Sequence, residues 1–338
     1  MAATEIPTET QQIVLASRPH GTPTQENFRL ETASIPALKP GQILVKNEAM
    51  SVDPYMRGRM NDAKSYIPPF QIDQPLEGTA VGRVIASESD SIKVGEHVSH
   101  MLGWRGYSVV DDDAATVVDV DAVSASKYLG ILGMPGLTAY VGLTEIAKFK
   151  EGDVVFVSGA AGAVGSAVGQ IAKALGASKV IGSAGSAEKI ERAKELGFDE
   201  AFNYKEGDVA ESLAKAAPDG IDVYYDNVGG DHLQAAIGAL RKYGRVAMCG
   251  AISQYNNTEP EPGPNNLFLA VGKELNLRGF IVGNHYDLAE EFQERAIKWL
   301  QDGTLQADET FRDGLENAPQ AFIDLLSGAN TGKMIVRL

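Results

Sequence analysis

The chain has 338 residues, of which 44% are hydrophobic and 22% charged, the balance of a globular protein too long for a single core, so two packed domains are expected. A formal net charge of −15 argues against nucleic acid as a partner, because such binding draws its affinity from Lys and Arg on phosphate; an anionic cofactor remains compatible where backbone amides and one or two local cations face it. The single cysteine, Cys249, excludes an intramolecular disulfide. No run approaches the roughly 20 apolar residues that cross a bilayer, and residues 1–12 are polar and acidic, unlike a signal peptide. The expectation is a cytoplasmic protein without membrane contact.

Taken in chain order, β-like runs at 42–48, 79–86, 97–99 and 108–110 are separated by turn residues and by Pro36, Pro40, Pro54, Pro68, Pro69 and Pro75. This pattern predicts a compact, mostly β domain over 1–124. From about Ala125 the texture changes. A strand at 153–158 precedes a helix in which Val164, Val168, Ile171, Ala172 and Leu175 share one face. Further strands are expected at 179–182, 201–204, 222–226, 245–249 and 275–281, alternating with helices at 187–196, near 209–216, at 232–240 and at 288–302. Buried strands joined by crossover helices imply an α/β fold with a doubly wound parallel sheet over 125–308. The last run, 333–338, has no helix after it and is expected to return to the first domain, so that 309–338 complete 1–124.

The strongest local signal is Ser158-Gly159-Ala160-Ala161-Gly162-Ala163-Val164-Gly165, which follows a strand and opens a helix. Glycines there permit a tight turn and let amides approach a pyrophosphate at the positive end of the helix dipole. An NAD site usually carries a carboxylate at the end of the second strand. Here that place reads Gly182-Ser183-Ala184-Gly185-Ser186, with Lys189 downstream and Tyr204 ending the next strand, which favours NADPH. Lys189 has the alternative reading of an exposed helix lysine.

A zinc site is not expected. One cysteine and five histidines (His20, His97, His100, His232, His285) offer no helix-spaced ligand set. His97 and His100 are the nearest to a pair, with surface or core roles favoured. Without metal, an oxyanion has to be stabilised by donors such as tyrosine hydroxyls or backbone amides.

Several longer runs carry a resemblance: Asp53-Pro54-Tyr55-Met56-Arg57-Gly58-Arg59-Met60, Gly133-Met134-Pro135-Gly136-Leu137-Thr138-Ala139-Tyr140, Phe202-Asn203-Tyr204-Lys205, Asp226-Asn227-Val228-Gly229-Gly230 and Cys249-Gly250-Ala251-Ile252-Ser253-Gln254-Tyr255-Asn256. With the glycine-rich turn, they make nearly the whole chain resemble the zinc-independent medium-chain dehydrogenase/reductases, in the group of prostaglandin reductase, leukotriene B4 dehydrogenase and plant alkenal double-bond reductase. The resemblance implies a GroES-like β domain built from both chain ends, a Rossmann domain between them, and commonly a homodimer. It places Gly162, Ala163, Val164 and Gly165 at the pyrophosphate of NADPH/NADP+, and Lys189 and Tyr204 at its 2′-phosphate. Around the rest of the cofactor it places Asn227, Cys249, Gly250, Ala251, Ile252, Ser253, Tyr255, Phe280, Ile281, Val282 and Asn330.

The implied reaction is metal-free reduction of the carbon–carbon double bond of an enal or enone, with hydride added at the β-carbon. Tyr255 is the candidate to hydrogen-bond the resulting oxyanion or to deliver the proton, since an ordinary tyrosine stays protonated at neutral pH. The residues leave the proton source open among Tyr255, a ribose hydroxyl and water. Tyr55 resembles a tyrosine of the relatives' substrate cleft, its alternative being a packed core tyrosine. Arg57 and Arg59 have two readings, attraction of an acidic substrate or ion pairing, and Cys249 is expected to pack rather than react. The competing functions are a quinone oxidoreductase of the same architecture and an NADPH-binding sensor without turnover.

Overall fold

The computed structural model describes residues 6–338. Their contacts gather into two compact units, one running through Leu129 and resuming at Glu309–Leu338, the other Gly130–Asp308. Residues 125–129 thus sit with the first unit rather than the second.

The first unit opens with β1 (Glu9–Leu15) and β2 (Phe28–Ser34), an antiparallel pair. It continues through β3 (Gln42–Ser51), a short helix α1 (Tyr55–Arg59), β4 (Ala80–Ser87), β5 (His97–His100), β6 (Tyr107–Asp111) and β7 (Thr116–Val118). The first two strands were not expected from sequence. The physical reason lies in β2, where Phe28 is the one fully buried residue, so no alternation of apolar and polar residues marks it. In β3, by contrast, Ile43, Leu44, Val45 and Met50 are all buried.

The second unit contains α2 (Met134–Val141), β8 (Val154–Ser158), α3 (Ala163–Ala174), β9 (Lys179–Ala184), α4 (Ala187–Glu195), β10 (Glu200–Asn203) and α5 (Val209–Ala216). After these come β11 (Ile221–Asp226), α6 (Gly230–Ala239), β12 (Leu240–Met248), α7 (Leu269–Lys273), β13 (Asn276–Gly279) and α8 (Ala289–Gln301). The strands pair in parallel in the order β10-β9-β8-β11-β12-β13. β8 is covered on both faces, which explains its unbroken Val-Val-Phe-Val run. Burial of Phe156 against Tyr224, Ile181 and Leu213 stabilises the sheet by about 1.5–3 kcal/mol for that side chain alone.

Two strand ends differ from expectation. β12 begins earlier, at Leu240, passes through a left-handed residue at Tyr243 (φ 66°), and stops at Met248, leaving Cys249 outside it. β13 is confined to Asn276–Gly279 because its pairing partner β12 ends opposite Gly279; Phe280 and Ile281 follow it out of the sheet.

The chain then enters β14 (Glu309–Asp313), α9 (Ala318–Leu326) and β15 (Lys333–Arg337). β15 pairs antiparallel with β3, Ile335 opposite Ser51, and the first unit's sheet runs β14-β15-β3-β4-β5-β7 with β6 also on β3. α9 contributes Phe322 to a buried ring cluster with Phe28 and Trp104, centroids 6.0–6.3 Å apart. Among the described residues, no helix is long and apolar enough to cross a membrane.

Candidate active site

In the second unit the expected cofactor residues collect at the carboxyl ends of the parallel strands. β8 ends in the glycine-rich turn, β9 at Ala184, β10 just before Tyr204, β11 just before Asn227, β12 just before Cys249, and β13 just before Phe280. The strand order reverses between β8 and β11, which is where a doubly wound sheet leaves a crevice for a ligand.

Gly159 turns the chain with φ 65°, and Gly162 is the N-cap of α3 with no side chain accepting from the first-turn amides. The N–H groups of Ala163, Val164 and Gly165 therefore lie at an uncapped helix N-terminus, a ready anion site. Gly165 is fixed by close approach: a Cβ there would stand 2.2 Å from the Gly159 carbonyl oxygen.

At the end of β9, no carboxylate is present in Ala184-Gly185-Ser186. Ser186 caps α4 by accepting from the Lys189 amide at 3.3 Å, which places the Lys189 side chain in the first turn. Burial lowers the Lys189 pKa, repulsion from Lys205 adds to this, and Glu188 opposes it. The Tyr204 amide donates to the Ala184 carbonyl at 3.2 Å, and the ring of Tyr204 meets His232 edge-on at 5.2 Å. Lys205, which carried no expectation of its own, reaches the same corner; the Phe202-Asn203-Tyr204-Lys205 run was the available signal. This donor set suits a 2′-phosphorylated dinucleotide: uncapped amides, cations and a phenol, with no carboxylate at the β9 end.

The loops after β11 and β12 are built on Asp226. Its carboxylate accepts from the amides of Val228 and Gly229 at 3.0 and 2.8 Å and from the Tyr224 hydroxyl at 2.7 Å. Its carbonyl accepts from the amides of Cys249 and Gly250. Burial raises the Asp226 pKa while the Gly229 amide and the Tyr224 hydroxyl pull it back. Asn227 is tied to Ser158, its side-chain amide donating to the Ser158 carbonyl at 2.8 Å. Ile252 and Ser253 donate backbone N–H groups to the carbonyls of Asn227 and Val228, and the Ser253 hydroxyl reaches Val228 at 2.6 Å. The 249–255 run is thereby folded back on the 226–230 loop.

Tyr255 closes this run. Its hydroxyl oxygen accepts from the Ala251 amide at 3.3 Å, and Gly250 leaves room for it, since a Cβ there would be 3.0 Å from that oxygen. Burial pushes the Tyr255 pKa above its ordinary value, the Ala251 hydrogen bond acting in the opposite direction. Burial likewise pushes the Cys249 thiol up to about 12, against a lowering contribution from the Tyr225 hydroxyl, so it is protonated and unreactive at neutral pH. Phe280 meets the edge of the Tyr225 ring at 6.5 Å, and Ile281 caps the following turn from which Val282 starts.

Tyr55 and Asn330 belong to the first unit. The buried Tyr55 hydroxyl has no hydrogen-bond partner among the described residues, and burial and then Asp53 raise its pKa. The buried Asn330 amide donates to the Gly332 carbonyl at 2.7 Å. Arg57 and Arg59 are interior rather than surface residues. Arg57 donates to Asn61 and to the Gly21 carbonyl at 2.8 and 2.9 Å, while Arg59 bonds Glu77 and Pro68 and lies 4.0 Å over the Phe70 ring. His97 lies 3.2 Å from Glu48, whereas the His100 ring is held between Asn47 Oδ1 and the Leu102 amide. Among the described residues, no three His, Cys, Asp or Glu side chains are grouped to hold a metal ion.

Both units resemble known proteins. Residues 11–118 match the family described as the N-terminal domain of oxidoreductase, and residues 163–302 the family described as zinc-binding dehydrogenase. The chain is 44% identical over 331 residues to an NADPH-dependent curcumin reductase of Escherichia coli, covering 96% of each chain. It is 42% identical over 334 residues to a tobacco (Nicotiana tabacum) 2-alkenal reductase (NADP(+)-dependent), again with 96% of each covered. The crystal structure of CurA from Vibrio vulnificus in complex with NADPH superposes with a TM-score of 0.92 at 44% identity, over 97% of this chain and 98% of that one. With its GroES-like β unit, its Rossmann unit and these near-full-length relatives, the chain belongs to the zinc-independent medium-chain dehydrogenase/reductases, close to the prostaglandin, curcumin and alkenal reductases.

Proposed function

We propose that this protein uses NADPH to reduce the carbon–carbon double bond of α,β-unsaturated aldehydes and ketones, without a metal. One feature of the site carries the reading above the others: a phenol held by a backbone amide, with its own proton unspent, on the same sheet edge as an uncapped, glycine-built helix N-terminus. The substrate class is supported by the two relatives, one a curcumin reductase and one a 2-alkenal reductase, that align over almost the full chain.

When bound, the reduced nicotinamide supplies a hydride to an electron-poor carbon. The amides of Ala163, Val164 and Gly165, at the helix end that Gly162 leaves without a side-chain cap, would hold the pyrophosphate, and Lys189 and Tyr204 would hold the 2′-phosphate. Asn227, Cys249, Gly250, Ala251, Ile252, Ser253, Phe280, Ile281 and Val282 would surround the remainder, and the family resemblance adds Asn330. Tyr255 keeps its proton on Oη and directs it to the carbonyl oxygen, where negative charge develops once the β-carbon is reduced. Tyr55, whose buried hydroxyl is unspent within its own unit, is the substrate contact in this reading. The protein works as a cytoplasmic homodimer, which light scattering at twice the chain mass would support and a monomer would contradict.

Steady-state oxidation of NADPH and NADH against an aliphatic 2-alkenal, an aryl enone, a simple quinone and a saturated aldehyde tests the function. Turnover is expected with NADPH and the alkenal or enone, insensitive to chelator. Activity confined to the quinone would favour the quinone-reductase alternative, and none with any acceptor would favour a sensor.

A further inference from the structure

The corner between β9 and β10 holds a cation with no counter-ion. Among the described residues the Lys205 ammonium makes no hydrogen bond or ion pair, and its one close partner is the Tyr204 ring, 6.0 Å away. The nearest sequence carboxylate, Glu206, is taken up by the Asn203 side chain, which donates to it at 2.6 Å and in turn accepts from the Lys205 amide at 3.1 Å. Lys205 also lies near enough to Lys189 to lower that residue's pKa by repulsion. Two ammonium groups brought together is an unfavourable arrangement that an anion between them would reverse.

The local backbone is built to allow it. Asn203 pairs with Ala184 in the β10–β9 register, so Tyr204 and Lys205 emerge directly beside the turn into α4. A Cβ on Gly185 would come within 2.9 Å of the Tyr204 hydroxyl and 3.1 Å of Lys205 Cε. Glycine at 185 is what lets both side chains lie over this turn. His232 meets the Tyr204 ring edge-on, with centroids 5.2 Å apart.

We infer that Lys205 is a specificity-determining residue: with Lys189 it forms a two-cation clamp for the phosphate monoester on the adenosine ribose, the Tyr204 hydroxyl completing the donor set. A phosphate monoester carries between one and two negative charges at neutral pH, so a second lysine has charge left to neutralise. The inference rests on the NADPH reading above and adds to it a residue that selects against NADH.

Calorimetric titration of the full-length protein with adenosine 2′,5′-bisphosphate, and with adenosine 5′-monophosphate as the control lacking the 2′-phosphate, separates the two claims. Lys205→Ala is expected to weaken bisphosphate binding about tenfold, leave the monophosphate within about twofold, and keep the wild-type melting temperature. Lys205→Arg is expected to retain most of the affinity. Bisphosphate binding unchanged in Lys205→Ala, with Lys189→Ala still impaired, would overturn the clamp and leave the NADPH reading standing. A wild-type protein that does not prefer the bisphosphate would overturn both.

Discussion

The Tyr255 hydroxyl accepts a hydrogen bond from the Ala251 amide four residues earlier, 3.3 Å away. That contact orients the phenol through its oxygen, and among the described residues no acceptor takes its hydrogen. With its pKa raised by burial, the group is a donor throughout the neutral range. Tyr255→Phe is expected to lower kcat by about 100-fold while NADPH affinity, followed by cofactor fluorescence, changes little. An unchanged kcat would remove Tyr255 from the chemistry.

The two glycines of the α3 entrance should respond differently to the same substitution. A Cβ at Gly165 would meet the Gly159 carbonyl oxygen at 2.2 Å, one at Gly162 would meet it at 3.3 Å. Gly165→Ala forces the turn to move and is expected to raise the KM for NADPH at least about tenfold and to cost about 1–3 kcal/mol of stability. Gly162→Ala requires a shift of a few tenths of an ångström and should be milder on both counts. Equal effects would contradict the close-approach argument.

Lys333 and Asp53 form a buried ion pair at 2.8 Å across 280 residues of sequence, with side chains 4% and 7% exposed. The Lys333 ammonium also donates to the Val52 carbonyl at 2.7 Å, and the Ser51 hydroxyl donates to the other Asp53 oxygen. The pair fastens β15 to the segment leading into α1 and Tyr55. Lys333→Ala would strand a buried carboxylate and is expected to cost about 3–5 kcal/mol in chemical denaturation, with Lys333→Met plus Asp53→Asn losing less. A loss below about 1 kcal/mol for the single variant would contradict this role.

Burial lowers the pKa of His100 to about 4, with Arg105 adding to it, and that of His232 to about 4, against a small opposing effect of Asp231. Both are neutral in the folded chain and titrate near 6.5 when unfolded. Their stabilisation is therefore complete above about pH 6.5 and is lost as the pH falls towards 4, on the order of 3 kcal/mol for each ring. Proton NMR should find both imidazoles untitrated at pH 5.5, and a midpoint near 6.5 would contradict their burial.

Much of the second unit could be read from sequence because its signals are local. Residues 154–157 are apolar throughout as a strand covered on both faces must be, Gly162 and Gly165 are glycine where backbone meets backbone, and Ser186 caps α4. The first unit was less legible. Phe28 is nearly alone in marking β2, and the buried roles of Arg57 and Arg59 depend on Gly21, Pro68 and Glu77, which are distant along the chain. Lys205 is legible only as the end of the Phe202-Asn203-Tyr204-Lys205 run, because its nearness to Lys189 depends on the turn at Gly185, which is distant along the chain.

The central claim is that the double bond, and not the carbonyl, is reduced. The most direct measurement is NMR of the product formed from a 2-alkenal with NADPH deuterated on its transferable position. The saturated aldehyde bearing one deuterium at the β-carbon is the result this account expects. An allylic alcohol with deuterium on the former carbonyl carbon would contradict it.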